Sequence, residues 1–230
     1  MAQKINPISF RLGTTQVWDS TLQNYGRPLS VYSTILHKQL QIQKFLPRYF
    51  LLNNFLLNYQ EWRIQQGEVF LSIYYSPSVH SRKVQSLKFL NLLPTLLKEL
   101  TFIKPTLRSY LGLQRSLTPD LIIWYSQYLL DKKTVSKKVV LNLCKFLKSH
   151  LNSTRISYFK FGLFELKLIG FKIKLSGRID SSNQMAKSLE QTFGCLSLTS
   201  LNSVVEHSSK EIYTKSGICG IQVWLFYSIK

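Results

Sequence analysis

Lysines are the residues in this chain whose spacing could do chemistry, and the chemistry is anion binding. On a helix advancing ~100° per residue, Lys137, Lys138, Lys145 and Lys148 share about 100° of arc. Asn142 and Ser149 widen that polar face, while Val135, Val139, Val140, Leu143, Cys144, Phe146, Leu147 and Leu151 fill the opposite side. No Asp or Glu occurs from Lys132 to Lys160, so the acidic i+4 partners of an ordinary solvated helix face are absent. One side of such a helix packs on a core. The other presents several positive charges on a rigid rod, which suits a polyanion.

Catalysis has no comparable support. The four histidines, His37, His80, His150 and His207, are scattered, and His37 reads as structural. Glu206-His207 is the one adjacent acid–imidazole pair, and neighbours on a strand point to opposite faces. There is no G-x-S-x-G, no P-loop and no paired Asp cluster for magnesium. Cys144, Cys195 and Cys219 lie far apart without a C-x-x-C, which excludes a disulfide framework and a sequence-evident zinc site. A reducing compartment is expected. The reading is of a binding protein, not an enzyme, with no cofactor.

Charge and length set the class. Thirty Lys and Arg against 11 Asp and Glu leave +19, which repels itself unless a polyanion neutralises it. RNA, DNA and an anionic membrane surface are the candidates. The 230 residues suffice for one large or two small domains, and 45% hydrophobic residues support buried cores. Apolar runs are broken within a dozen residues by Lys, Gln or Pro, so no transmembrane segment is expected, and no signal or transit pattern opens the chain. Ala2 and Ala186 are the only alanines, a bias of the kind found in A+T-leaning organellar genomes.

The elements that must position these lysines follow from periodicity. Residues 1–29 read as an extended basic arm carrying Lys4, Arg11 and Arg27 among Asn6-Pro7, Gly13 and Gly26-Arg27-Pro28. Ser30 to Phe50 predicts a helix with Tyr32, Ile35, Leu36, Leu40 and Ile42 inward. Strands are expected over 55–65 and 69–75, a helix over 78–100 interrupted at Pro94, and a third strand over 106–113. Thr118-Pro119 opens a short apolar helix over 120–130. The basic helix and a linker take 131–160. A C-terminal α/β domain over 161–230 then holds a strand at 165–176 and a helix at about 182–192 ended by Gly194. Strand segments at 196–206 and 212–214 precede a central closing strand at 218–228, bulky on both faces, where Trp224 and Phe226 serve burial rather than base stacking.

The order helix, strand, strand, helix, strand over 30–130 resembles a type II KH domain, and the fold class is α+β. KH domains clamp nucleic acid with a G-x-x-G loop between strand and helix. That loop falls at Tyr75 to Ser81, which has no glycine, so the domain is degenerate. Gly217-Ile218-Cys219-Gly220 leads into a strand and reads as a turn.

Both ends carry a more specific resemblance. Gln3-Lys4-Ile5-Asn6-Pro7 through Phe10-Arg11-Leu12-Gly13, Gly170 to Arg178, Met185-Ala186-Lys187 and Gly217 to Trp224 together resemble the small-subunit ribosomal protein S-three family. Residues 30 to 130 match only in element order. Membership implies a two-domain protein on the head of the small subunit, binding small-subunit rRNA beside proteins of the S-ten and S-fourteen families. Lys4, Arg11, Arg27, Lys145, Lys148, Arg178 and Lys187 would serve rRNA. Lys187, with Met185 and Ala186, matches a basic helix turn. Lys137 and Lys138 match a basic pair that holds mRNA in the channel through which it enters. Leu141 replaces the third basic residue of that set, with Lys145 one turn later, and Cys195 replaces a basic residue after Gly194. These departures, with the missing G-x-x-G, imply a mitochondrial member in the matrix. A plastid member, a stand-alone KH-type RNA-binding protein and a peripheral membrane protein are the other readings.

Overall fold

The computed structural model of the chain describes residues 5–16, 18, 29–65, 68–77, 91–98, 105–111, 117–132, 135–159, 162–178, 185–214 and 217–229. It divides into two compact units, a smaller one of Asp19–Gln114 and a larger one joining Met1–Trp18 to Arg115–Lys230.

Over its described residues, 5–16, the N-terminal segment is not the extended arm expected. Asn6 caps a single helical turn, α1 (Pro7–Arg11), its side chain accepting from the Ile8 N–H at 3.0 Å, with Pro7 at the first helical position. The following turn is held by Gln16, whose Nε2 donates to the Val205 carbonyl at 2.7 Å. Polar side chains with distant backbone partners thus fold this stretch onto the larger unit.

In the smaller unit, α2 (Leu29–Leu52) buries Ile42, Leu46 and Phe50, one face at helical spacing. Leu40, expected inward, is exposed, because the buried stripe runs through Gln39 instead. Strands β1 (Phe55–Gln65) and β2 (Glu68–Pro77) form the expected antiparallel hairpin. Helix α3 (residues 91–98) supplies Leu93 and Leu97 to the core. Strand β3 (Pro105–Leu111) then returns parallel to β2, giving the order β1-β2-β3. A parallel neighbour needs a crossover, and the chain between β2 and β3 carries α3. The core joins Phe50, Phe55, Leu57, Leu71, Ile73 and Tyr75 to the helices. Residues 78–90, which the expected second helix and the loop to Ser81 also cover, lie outside the described residues.

The larger unit places two helices on one face of an antiparallel sheet. Thr118 caps α4 (Pro119–Asp131) as expected. Helix α5 (Ser136–Ser149) follows. Strands β4 (Thr154–Phe159), β5 (Gly162–Gly177), β6 (Lys187–Gly194), β7 (Val204–Thr214) and β8 (Gly217–Ile229) make the sheet β4-β5-β8-β7, with β6 continuing the β4 edge of β5. Alternation sends Leu166, Leu168, Phe171, Ile173 and Leu175 toward the helices, where Ile122, Ile123, Val139, Leu143 and Leu147 meet them. Strand β8 lies between β5 and β7, which accounts for bulk on both of its faces. Phe226 is buried on the second face and Trp224 half-buried.

Three expectations change here. The helix expected at 182–192, and the basic helix turn at Met185-Ala186-Lys187, are replaced in the described residues by β6, because the edge of β5 from Gly170 to Gly177 bonds to it. Residues 196–203 are irregular rather than strand, and the two expected segments flanking His207 merge into one strand, β7. The division near residue 115 also differs from the one expected at 130, because Ile122 and Ile123 of α4 share the core of α5 and the sheet. Gly194 does end its element, but with φ +78 at the end of a strand, where a Cβ would press on the Ile169 carbonyl.

Candidate nucleic-acid interface

Helix α5 carries the lysine face because its other face is already committed. Val139, Val140, Leu143, Cys144 and Leu147 are buried, while Lys137, Lys138, Lys145 and Lys148 are exposed. Phe146, expected inward, is partly exposed and lies 4.5 Å from the His150 ring. Val135 is exposed as well, since it precedes the first turn and packs on nothing in that core.

The electrostatics of this helix are unusual at one end. Val135 occupies the N-cap and provides no side-chain hydrogen bond, and the first turn holds no acid. Lys137 and Lys138 thus stand at the positive end of the helix dipole, an arrangement that opposes helix stability by roughly 0.3–1 kcal/mol per charge. The same arrangement concentrates positive potential where backbone N–H groups lack helical partners. Lys148 sits in the last turn, where the dipole favours it, with Nζ 4.7 Å from the centre of the Phe193 ring. Leu141 lies in the middle of the lysine arc and is 54% exposed, so an apolar side chain interrupts the charged surface.

The other expected contacts separate. Lys187 is exposed and pairs in register with Gly177, so it shares one end of the sheet with Arg178, which is half-buried. Lys148 lies near Phe193 at the far end of β6, six residues from Lys187, or about 20 Å along a strand. Lys4 and Arg27 lie outside the described residues.

Arg11 is not a phosphate ligand. It is fully buried. Its Nε donates to the Ser203 carbonyl at 2.8 Å, Nη1 to Pro7 at 3.2 Å, and Nη2 faces the carbonyls of Ser197, Leu198 and Ser200 at 3.2, 3.0 and 2.7 Å. Burial pushes its pKa down from the ordinary arginine value. The guanidinium binds α1 and the irregular 197–203 loop together and leaves no surface for RNA.

A second charged surface was readable only in part. Lys172 and Lys174 alternate with Ile173 and Leu175, so they face away from the helices. There they meet Glu190 on β6, Lys174 Nζ at 2.8 Å and Lys172 Nζ at 3.0 Å. With Trp224, His207, Pro7 and Phe10 they border a groove of about 620 Å³. Burial pushes the His207 pKa down. Hydrogen bonds from Lys174 and then Lys172 hold the Glu190 carboxyl at about 2. A depressed carboxyl stabilises the fold above its unfolded value of 4.5, and that contribution disappears as pH falls toward about 2. Because the pair is solvent-screened, the contribution is under about 1 kcal/mol. Glu190→Gln should lower the melting temperature slightly at neutral pH, and thermal scans across the acid range should show that difference vanish by about pH 2.

On the helix side of the sheet, Arg155 pairs with Glu206 and stacks its guanidinium 4.4 Å from the Tyr227 ring. Tyr227 donates to the Leu117 carbonyl at 3.2 Å, and burial pushes its pKa up. This assigns Glu206 to a structural ion pair, and His207 turns to the opposite face beside Trp224. Among the described residues no group of three His, Cys, Asp or Glu could hold a metal, and no helix is long and apolar enough to cross a membrane.

No family model matches the chain. The small ribosomal subunit protein uS3m of Chondrus crispus is 52% identical over 230 residues, covering 100% of this chain and 95% of that protein. The chain belongs to the uS3 family. Bacterial relatives agree: uS3 of Geobacter sulfurreducens is 26% identical and uS3 of Geotalea daltonii 27%, each alignment covering 98% of this chain and 96% of the relative. Full-length coverage brings the middle of the chain, matched in sequence only by element order, into the same family. This uS3 is a mitochondrial member.

Proposed function

We infer that this uS3 is a structural constituent of the mitochondrial small ribosomal subunit, working by binding rather than catalysis. The observation that carries the reading is the acid-free lysine face of α5 in a chain 52% identical to uS3m. Phosphate contacts need cations on rigid elements and carry little sequence information, and α5 has that character. Lys145, Lys148, Arg178 and Lys187, with Lys4 and Arg27, hold small-subunit rRNA in this reading. Lys137 and Lys138 line the channel through which mRNA enters. Leu141 weakens that grip, and Lys145 takes over part of it one turn later.

The unit Asp19–Gln114 is a degenerate type II KH-like domain. The order α2, β1, β2, α3, β3 and the parallel β2–β3 pair support this assignment. Head proteins of the S-ten and S-fourteen families are the neighbours.

Sedimentation of a native mitochondrial extract tests the assignment. The protein should migrate with the small subunit and leave that position after RNase treatment or magnesium chelation. Migration as a free protein, or flotation with membranes, would reject it.

A further inference from the structure

The helix-covered face of the three-stranded sheet accounts for its core, but the opposite face carries a different pattern. Register places Tyr59, Tyr74 and Tyr110 in one row straight across β1, β2 and β3. The Tyr59 and Tyr74 ring centres lie 6.2 Å apart, and Tyr74 stacks on Tyr110 at 5.0 Å with 18° between planes. Tyr59 is 48% and Tyr110 42% exposed, and β3 is an edge strand of this sheet. The stacked pile therefore ends in a ring at the sheet edge.

The next row supplies charge. Register puts Glu61, Ser72 and Arg108 side by side. Arg63 neutralises Glu61 within the same strand, its Nε and Nη2 donating at 2.9 and 2.7 Å. Arg108 is exposed. Beside the rings the face thus offers a cation, with its one carboxylate in that row already paired. The unit itself carries eleven Lys and Arg against four Asp and Glu.

We propose that this tyrosine row with Arg108 is a stacking platform for single-stranded RNA, separate from α5 and from the strand–helix loop where KH domains grip their ligand. Exposed rings accept bases of any type on their π-faces, and a neighbouring cation holds the backbone. A peptide partner is disfavoured, since the described side chains beside the rings leave a positive charge, Arg108, next to a carboxylate that Arg63 already pairs. The proposal rests on the reading that this protein's partner is RNA. Cross-strand stacking also stabilises a sheet without any ligand, so the test must separate bases from phosphates.

The full-length protein is titrated at elevated salt with a labelled single-stranded decauridylate and with an abasic strand of equal length. Wild type should prefer the base-bearing strand. Tyr110→Ala should lower its affinity for that strand about five-fold or more and leave abasic binding unchanged, while Tyr110→Trp keeps the preference. Thermal unfolding confirms that both variants fold. Lys137→Glu with Lys138→Glu should weaken both probes alike. Equal wild-type affinity for the two strands, or a Tyr110→Ala variant that keeps full preference, overturns the platform. In isolated small subunits, ultraviolet light should join the 105–111 peptide to RNA, and a crosslink of that peptide to a neighbouring protein instead also overturns it. Neither result alters co-sedimentation, so failure here is distinct from failure of the ribosomal assignment.

Discussion

Arg11→Ala should destabilise the larger unit by about 3–5 kcal/mol, since it removes several hydrogen bonds from a charged donor, worth about 1.5–3 kcal/mol each, and unpairs their buried acceptors. The side chain faces four carbonyls of the 197–203 loop and that of Pro7. Removing it leaves acceptors in a site that water cannot freely refill, each adding a desolvation penalty of about 1–3 kcal/mol. Alanine also leaves a cavity where a large buried side chain stood. The melting temperature should fall by about 10 °C or more. Arg11→Lys should rescue little, since an ammonium cannot reproduce five donors in a planar fork. The result separates two roles. A phosphate ligand replaced by lysine would keep stability and RNA affinity together. A clamp on the 197–203 loop loses stability first, and the salt dependence of RNA binding by the folded fraction stays as in wild type.

Lys137→Glu with Lys138→Glu should have the opposite signature. Acids in the first turn of α5 favour the helix dipole, so folding stability should hold or rise, by about 1 kcal/mol or more at low salt. Affinity for single-stranded RNA should fall. Two lost phosphate contacts reduce the slope of log K against log salt by about 1.4, which near 0.1 M salt is about 25-fold in affinity. Translation in mitochondria carrying the variant should be impaired, while the protein still sediments with the small subunit. Unchanged translation would remove Lys137 and Lys138 from the mRNA path. The complementary change, Leu141→Lys, puts a cation in the centre of the arc and should steepen the salt slope by about 0.7. Filter binding across a salt series, run beside thermal unfolding, reads both variants.

These two sites show where local pattern suffices. Helix α5 was legible because its apolar and basic residues alternate with helical period, and a period needs only neighbours in the chain. The same holds for α4, opened by Thr118-Pro119, and for β5, whose alternation matches its buried and more exposed faces. Strand β6 was not legible. Lys187 to Gly194 is polar with only Leu189 and Phe193 as large apolar groups, and either period accommodates it. Its backbone bonds along the open edge of β5 from Gly170 to Gly177 decide the matter, and that edge is not written in residues 187–194 themselves.

Arg11 is the clearest case of a role that sequence could not carry. A basic residue beside Gly and Pro in an N-terminal stretch reads as a contact for RNA, and in composition it is indistinguishable from one. Four of its acceptors lie more than 180 residues away and are backbone carbonyls, which leave no trace in side-chain identity. The tyrosine row was hidden for the same reason, since Tyr59, Tyr74 and Tyr110 align only through strand register. Sequence alone determined the charge, the lysine face of α5, the α+β class and the family, because composition, period and motif order are local properties of the chain. Tertiary structure alone decided which cations are surface and which are clamps, where β6 lies and which aromatics share a face. Burial and register depend on residues far apart in the chain, and only folding brings them together.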